Sequence, residues 1–207
     1  MKTLFALTIF FGATSLVYGQ SAPTQPSQCS LKLAQSPSVR GIKLGMSVEN
    51  LLAFFPGSAS EDGIKLSASQ AANFPHFGVV GFGVFPSRYS TKERFAGIDT
   101  LNFVILDGRL AQFEVQYLRP PNGANWRNID DFIAKITDAF QVPASKNWTA
   151  HQSNPSTKEL KCDGFQLRAS NVNLTGSLTV ATVDAPFQIR KERSAAFEER
   201  ARRDFRP

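Results

Sequence analysis

GIKLGMSVENLLAFFPG, residues Gly41–Gly57, carries Val48, Leu51, Leu52 and Phe55 at i, i+3, i+4 and i+7. That spacing lines one stripe of an α-helix. Ser47 stands just ahead of the stripe, where a hydroxyl caps the free N–H groups of the first turn. Glu49 adds negative charge at the positive end of the helix dipole, and Pro56-Gly57 stops the run. The pattern returns 81 residues later in Asn128–Ile136, NIDDFIAKI. Asn128 takes the place of Ser47, Ile129 of Val48, Asp130 of Glu49, Phe132-Ile133 of Leu51-Leu52, and Ile136 of Phe55. Pro143 ends the second run as Pro56 ends the first. The spacing predicts helices over Ser47–Phe55 and Asn128–Phe140, packed on one face of an antiparallel sheet. The fold class is α+β, with two helix-plus-antiparallel-strand units sharing one sheet.

Outward from the helices, the chain reads as strands. Ile98–Leu106 and Leu110–Leu118 flank Asp107-Gly108, a strong two-residue hairpin signal. Phe113, Val115 and Tyr117 share a face of the second of these strands. Leu160–Cys162 and Phe165–Ala169 flank another such turn, Asp163-Gly164, and Leu178–Val183 is a further strand. Phe74–Phe85, FPHFGVVGFGVF, is apolar and glycine-rich and reads as one irregular strand or two short ones with a bulge. Ile64–Leu66 is a short strand candidate. Cys29–Ala34 is an edge strand or a pinned extended segment. The domain spans 39–184, with an internal repeat at about 41–118 and 128–183. Residues 185–207 form a charged C-terminal helix with Asp184 as cap and Pro186 in the first turn. Glu198 with Arg202, and Glu199 with Arg203, are i, i+4 pairs of the favourable orientation.

The N-terminal end carries a different signal. Met1–Gly19 reads as a secretory signal peptide, with Lys2 as its positive start, an apolar run at Leu4–Leu16 and small residues near the cut. The expected location is exported, periplasmic or secreted after cleavage near Gly19, with no transmembrane segment in the mature chain. Residues 20–38 are a polar linker and a pinned N-terminal segment. Two cysteines, Cys29 and Cys162, follow the cut, and an even count in an exported protein argues for one disulfide between them. The formal charge is +6, and residues 190–206 hold seven Arg or Lys against four Asp or Glu. The body is mildly basic, which bears on solubility more than on a specific partner. A hydrophobic content of 42% with 18 Phe suffices for a packed core.

Catalytic constellations are sparse. There is no G-x-S-x-G, H-E-x-x-H, Walker A or C-x-x-C motif. No catalytic, cofactor-binding or metal residue is nominated. His76 reads as a packing or rim histidine and His151 as solvated. Asp130-Asp131 is explained by the helix dipole, and Asp107 and Asp163 by turn chemistry. Gly78, Gly81 and Gly83 would make a phosphate cradle only ahead of a helix, and none follows. Arg88, Tyr89, Lys92, Arg94 and Phe95 have the composition of a single-strand nucleic-acid surface, but a solvated loop is the better reading and no nucleic-acid partner is expected.

The entry Gly41-x-x-Leu44-Gly45-Met46-Ser47 and the closing Pro56-Gly57 resemble the opening helix of SmpA/OmlA-type outer-membrane assembly lipoproteins. They are also similar to that of β-lactamase-inhibitor-protein-like domains. The resemblance covers about 18 residues. It implies helices on an antiparallel sheet, duplication of that unit, and a binding scaffold without catalysis. The chain departs from the lipoproteins in lacking a lipobox cysteine. Over its whole length, Lys161-Cys162-Asp163-Gly164-Phe165 and the charged last helix included, it looks more like an uncharacterised group of exported bacterial proteins. The expectation is therefore an exported, non-enzymatic binding or envelope-associated module, with a protein or envelope component as partner and no cofactor. The alternative is a hydrolase with a site that sequence does not mark, using His76 or His151.

Overall fold

The computed structural model describes residues 29–118, 126–151, 154–173 and 175–204. The expected signal peptide, the linker up to Gln28 and the Arg119–Asn125 connection lie outside the described residues. Seven strands form one sheet: β1 (Val79–Val84), β2 (Ile98–Leu106), β3 (Arg109–Tyr117), β4 (Thr149–His151), β5 (Asn154–Lys161), β6 (Phe165–Val172) and β7 (Thr175–Thr182). Their order is β1-β2-β3-β7-β6-β5-β4, and every pairing is antiparallel. The helices are α1 (Val48–Leu52), α2 (Asp62–Gln70), α3 (Ile129–Phe140) and α4 (Pro186–Asp204). The chain is thus α+β.

Both predicted helix caps form. Ser47 Oγ accepts from the Asn50 N–H at 3.3 Å. Asn128 Oδ1 accepts from the Asp131 N–H at 2.9 Å, and the Asp131 carboxylate in turn accepts from the Arg127 N–H at 2.9 Å. Helix α1 is shorter than the stripe predicts. After Leu52, Phe54 and Phe55 donate to Leu51 and Leu52, three residues back, at 3.2 and 2.9 Å. That tighter winding ends the helix ahead of Pro56, yet leaves Phe55 fully buried. In α3 the stripe holds, with Phe132, Ile133 and Ile136 all buried.

One face of the sheet carries the core. Leu101, Phe103 and Ile105 of β2, Phe113 and Val115 of β3, Leu167 of β6, and Leu178 and Val180 of β7 are buried in one cluster with Leu51, Phe55 and Ile133 of the helices. Burying a Leu or Phe side chain of this kind contributes roughly 1.5–3 kcal/mol. The β2–β3 hairpin turns at Asp107-Gly108, with φ of 49° and 78°. Two successive positive φ values are those of the turn whose twist matches a hairpin.

Several segments depart from the sequence reading. Ile64–Leu66 is not a strand but lies within α2. Its apolar residues alternate in sequence, but only Ile64 is buried, so a single side chain ties this helix to the core. Of Phe74–Phe85, only Val79–Val84 is strand; Phe74–Gly78 is a turn with a cis Phe74-Pro75 bond. Cys29–Ala34 is pinned rather than a regular strand: Lys32 bridges Asp163, and a 3-10 turn follows at Leu33–Gln35. Asp184 stands two residues ahead of α4, and the Ala185 carbonyl accepts the first N–H bonds, from Gln188 and Ile189.

Helix α4 is mostly exposed and is held at two points. Arg193 makes a paired contact with the Asp107 carboxylate at 2.8 and 2.7 Å and donates to the Phe77 carbonyl. Phe197 packs against Phe74 and Phe77 at ring distances of 5.9 and 5.6 Å. The predicted Glu198–Arg202 and Glu199–Arg203 pairs form at 3.5 Å.

Cys29 and Cys162 are joined, with Cα atoms 4.7 Å apart and a sequence separation of 133. The Cys29 N–H donates to Lys161 and the Asp163 N–H to Leu31, so the backbone runs alongside the end of β5 on both sides of the bridge. Closing so long a loop restricts the unfolded chain by about 4–5 kcal/mol in the chain-entropy account. Urea unfolding followed by tryptophan fluorescence should show a large drop in midpoint on reduction and in Cys29→Ser. An unchanged midpoint would mean the segment is held without the bridge.

Candidate functional site

A cavity of about 840 Å³ opens between α3 and the end of the sheet where β3 finishes. That volume lies in the range of small-molecule sites. Three stretches from the first half of the chain line it: Ser38–Arg40, Ala96–Ile98 and Tyr117-Leu118. The rest of the wall is Trp126 and one face of α3 from Phe132 to Phe140.

Local structure explains each placement. Val39 and Ile42 exchange backbone hydrogen bonds of 3.0 Å across Arg40-Gly41, a two-residue turn with φ of 54° and 94°. Glycine suits this position by its φ of 94°, and a Cβ there would also push on the Arg94 guanidinium, 2.7 Å away at Nη2. The Arg94 Nε–H donates to the Arg40 carbonyl at 3.0 Å while its guanidinium lies 4.3 Å over the Phe54 ring. The turn is thereby fastened, and Arg40 is held at the cavity. Ile98 pairs with Tyr117 across β2 and β3, beside a bulge, and the Leu118 N–H donates to Gly97 at 2.9 Å.

The far wall is aromatic. Tyr117, Trp126 and Phe132 form a trio with ring distances of 6.2, 5.9 and 4.9 Å. Gly176 of β7 lies beneath them; a Cβ there would stand 2.7 Å from Phe132 and 2.8 Å from Trp126. The Trp126 indole N–H is buried with no acceptor among the described residues. Ile98, Trp126, Phe132 and Ile136 are buried, whereas Arg40 and Lys135 are exposed. The cavity therefore has an apolar floor and a cationic rim. Among the described residues, no Asp or Glu lines it. Burial pushes the Tyr117 hydroxyl up to about 12, with the Arg40 charge pulling the other way.

The residues weighed from sequence lie elsewhere. His76 is half-buried just before β1, at one sheet edge, and His151 is on β4, the other edge. Six strand spacings separate those edges, about 29 Å, so the two histidines share no site. His151 Nε2 stands 3.6 Å from Glu159, which also takes Arg168 at 2.7 Å. Asp130 does more than answer the helix dipole, because it pairs with Lys158 of β5. The Arg88–Phe95 segment is not a solvated loop of free aromatics. Tyr89 and Phe95 are buried against Phe55, and the Tyr89 hydroxyl donates to Glu61 at 2.6 Å. Gly81 and Gly83 alternate with core-facing Val80, Phe82 and Val84, which sets them on the opposite face of β1. Among the described residues, no group of three His, Cys, Asp or Glu is placed to hold a metal ion, and no helix is long and apolar enough to cross a membrane.

No protein-family model, curated protein or solved structure matches the chain. The fold and site define an α+β protein with a ligand-sized cavity beside α3.

The Tyr117 hydroxyl gives the site a pH signature. Its folded value of about 12 exceeds the ordinary 10.0. The protonated phenol is favoured by folding, so its contribution to stability is full below about pH 10 and is lost as pH rises toward about 12. Urea midpoints of the wild type should fall across that window more steeply than those of Tyr117→Phe. Equal slopes would show that the hydroxyl is not buried in solution.

Proposed function

We propose that the protein is an exported, non-enzymatic binding module that receives a ligand with a sizeable apolar body in the cavity beside α3. The observation that carries this reading is the cavity itself: about 840 Å³, walled by Val39, Ile98, Tyr117, Trp126, Phe132 and Ile136. Sites for small molecules are concave and mostly apolar, with a few polar groups fixing orientation. Export is supported by the signal-like Met1–Gly19 and by the bridge between Cys29 and Cys162, since disulfides persist in oxidising compartments. The resemblance of the Gly41–Gly57 segment to scaffolds that bind without catalysis points the same way. An envelope component is the natural partner for such a module.

A neutral fluorescent probe, N-phenyl-1-naphthylamine, tests the cavity. It should bind and gain emission. Ala139 is exposed on the cavity side of α3, so Ala139→Trp places a large ring in the opening without disturbing the core. That variant should bind the probe at least about tenfold more weakly while keeping its urea midpoint. Unchanged binding in Ala139→Trp, or no binding to the wild type, would overturn the assignment.

A further inference from the structure

We propose that the cavity's ligand is a single-chain amphiphile with a carboxylate head, its chain lying on the Ile98, Phe132 and Ile136 floor and its head at Arg40 and Tyr117. The inference rests on the cavity being a ligand site and goes on to name what enters it.

The polar lining selects the head group. Arg40 and Lys135 are donors only, and the Tyr117 and Ser38 hydroxyls can donate; no carboxylate faces them. An ionised carboxylate, which only accepts, is the complement of that set. Charge gives the same answer. Three cations of the helix-bearing side are engaged, Arg94 with the Arg40 carbonyl, Arg109 with the Gly45 carbonyl and Lys158 with Asp130, and Lys43, Lys65 and Lys146 lie outside the cavity lining. Arg40 and Lys135 have no ion-pair partner among the described residues, yet both line the cavity.

Arg40 is also placed at a cost. At φ 54° it stands in the left-handed region, which a non-glycine residue adopts only where the surrounding fold imposes it. The turn hydrogen bonds and Arg94 hold it there, and among the described residues its guanidinium has no ion-pair partner. The planar guanidinium fork matches the two oxygens of a carboxylate. One fork and one phenol suit a monoanion with two oxygens better than a phosphate with three and a second charge. The exposed cations lie at the rim and the buried apolar residues at the floor, so an amphiphile enters chain first and leaves its head at the water boundary.

Displacement of N-phenyl-1-naphthylamine by dodecanoate, 1-dodecanol and dodecyl phosphate tests this on the purified protein. Dodecanoate should bind at least about tenfold more tightly than the alcohol. That preference should shrink severalfold in Arg40→Gln and in Lys135→Gln, and the latter changes only an exposed helix position. Tyr117→Phe should weaken the acid more than the alcohol. Equal affinity for acid and alcohol, or a preference untouched by both cation variants, would overturn the carboxylate assignment and leave the cavity reading intact. Tighter binding of dodecyl phosphate through the same two cations would replace the carboxylate with a phosphate head. Probe binding that no amphiphile displaces would show that the occupant is not a single-chain lipid. Loss of all probe binding would remove the cavity reading together with this one.

Discussion

The pairing of β3 with β7 is the constraint on which the remaining structure depends. Gln112–Gln116 lies against Ser177–Ala181, and this is where strands from the first half of the chain meet those from the second. Phe113, Val115, Leu178 and Val180 at this seam have no exposed surface. Closing a loop of this length carries an entropy cost that local hairpins avoid. The apolar burial at the seam must offset it. The seam also sets where the helices rest. Helix α1 reaches β3 and α2 reaches β1, while α3 sits over β5 and β6. Near Tyr117, α3 faces the Arg40 turn across a gap, and that gap is the cavity.

Apart from the Cys29–Cys162 bridge, which followed from an even cysteine count, what could be read from the chain was local. Ser47, Asn128, Asp107-Gly108 and Asp163-Gly164 each act within a few residues, through a cap or a turn, and their chemistry survives any tertiary arrangement. The three-four periodicity of Phe132, Ile133 and Ile136 is of the same kind. Helix α2 was misread because the segment Asp62–Gln70 buries one residue, and a helix with a single buried position leaves no stripe to find. The cavity was invisible because its lining comes from stretches as distant as Ser38 and Phe140, brought together only by the β3–β7 pairing. Arg40-Gly41 was the one available signal. Its turn uses arginine where asparagine or aspartate normally takes the left-handed position, so composition did not mark it.

The basic aromatic segment Arg88–Phe95 shows how composition misleads when burial is unknown. Arginine beside aromatic residues suits a nucleic-acid surface, but the same pairs also build a core margin. Phe95 lies 5.1 Å from Phe55 and Tyr89 lies 5.4 Å from it, inside the protein. The guanidiniums of Arg88 and Arg94 cover Phe85 and Phe54 from outside, at 4.6 and 4.3 Å. Cation–ring contacts of this exposed type contribute about 0.5–1 kcal/mol each. The arginines thus close apolar surface that lacks a helix to cover it, and α4 does the same with Phe197 over Phe74 and Phe77.

The cavity wall shows which force shapes the site. The Trp126 N–H and the Asn171 Oδ1 are both buried without partners among the described residues. Asn171 pairs across the strands with Gly176, the residue Trp126 stands over. A donor and an acceptor therefore flank one glycine without meeting, at a cost of about 1–3 kcal/mol for each unsatisfied group. Ring packing opposes that cost: the contacts among Tyr117, Trp126 and Phe132 contribute about 0.5–1.5 kcal/mol per pair, on top of the apolar area those rings bury. The indole is thus oriented by its neighbours' faces rather than by its own N–H. A wall fixed by ring against ring, over a glycine that admits no side chain, does not depend on a ligand to form. The cavity is consequently built before anything occupies it, and binding there need not include the ordering of its aromatic side.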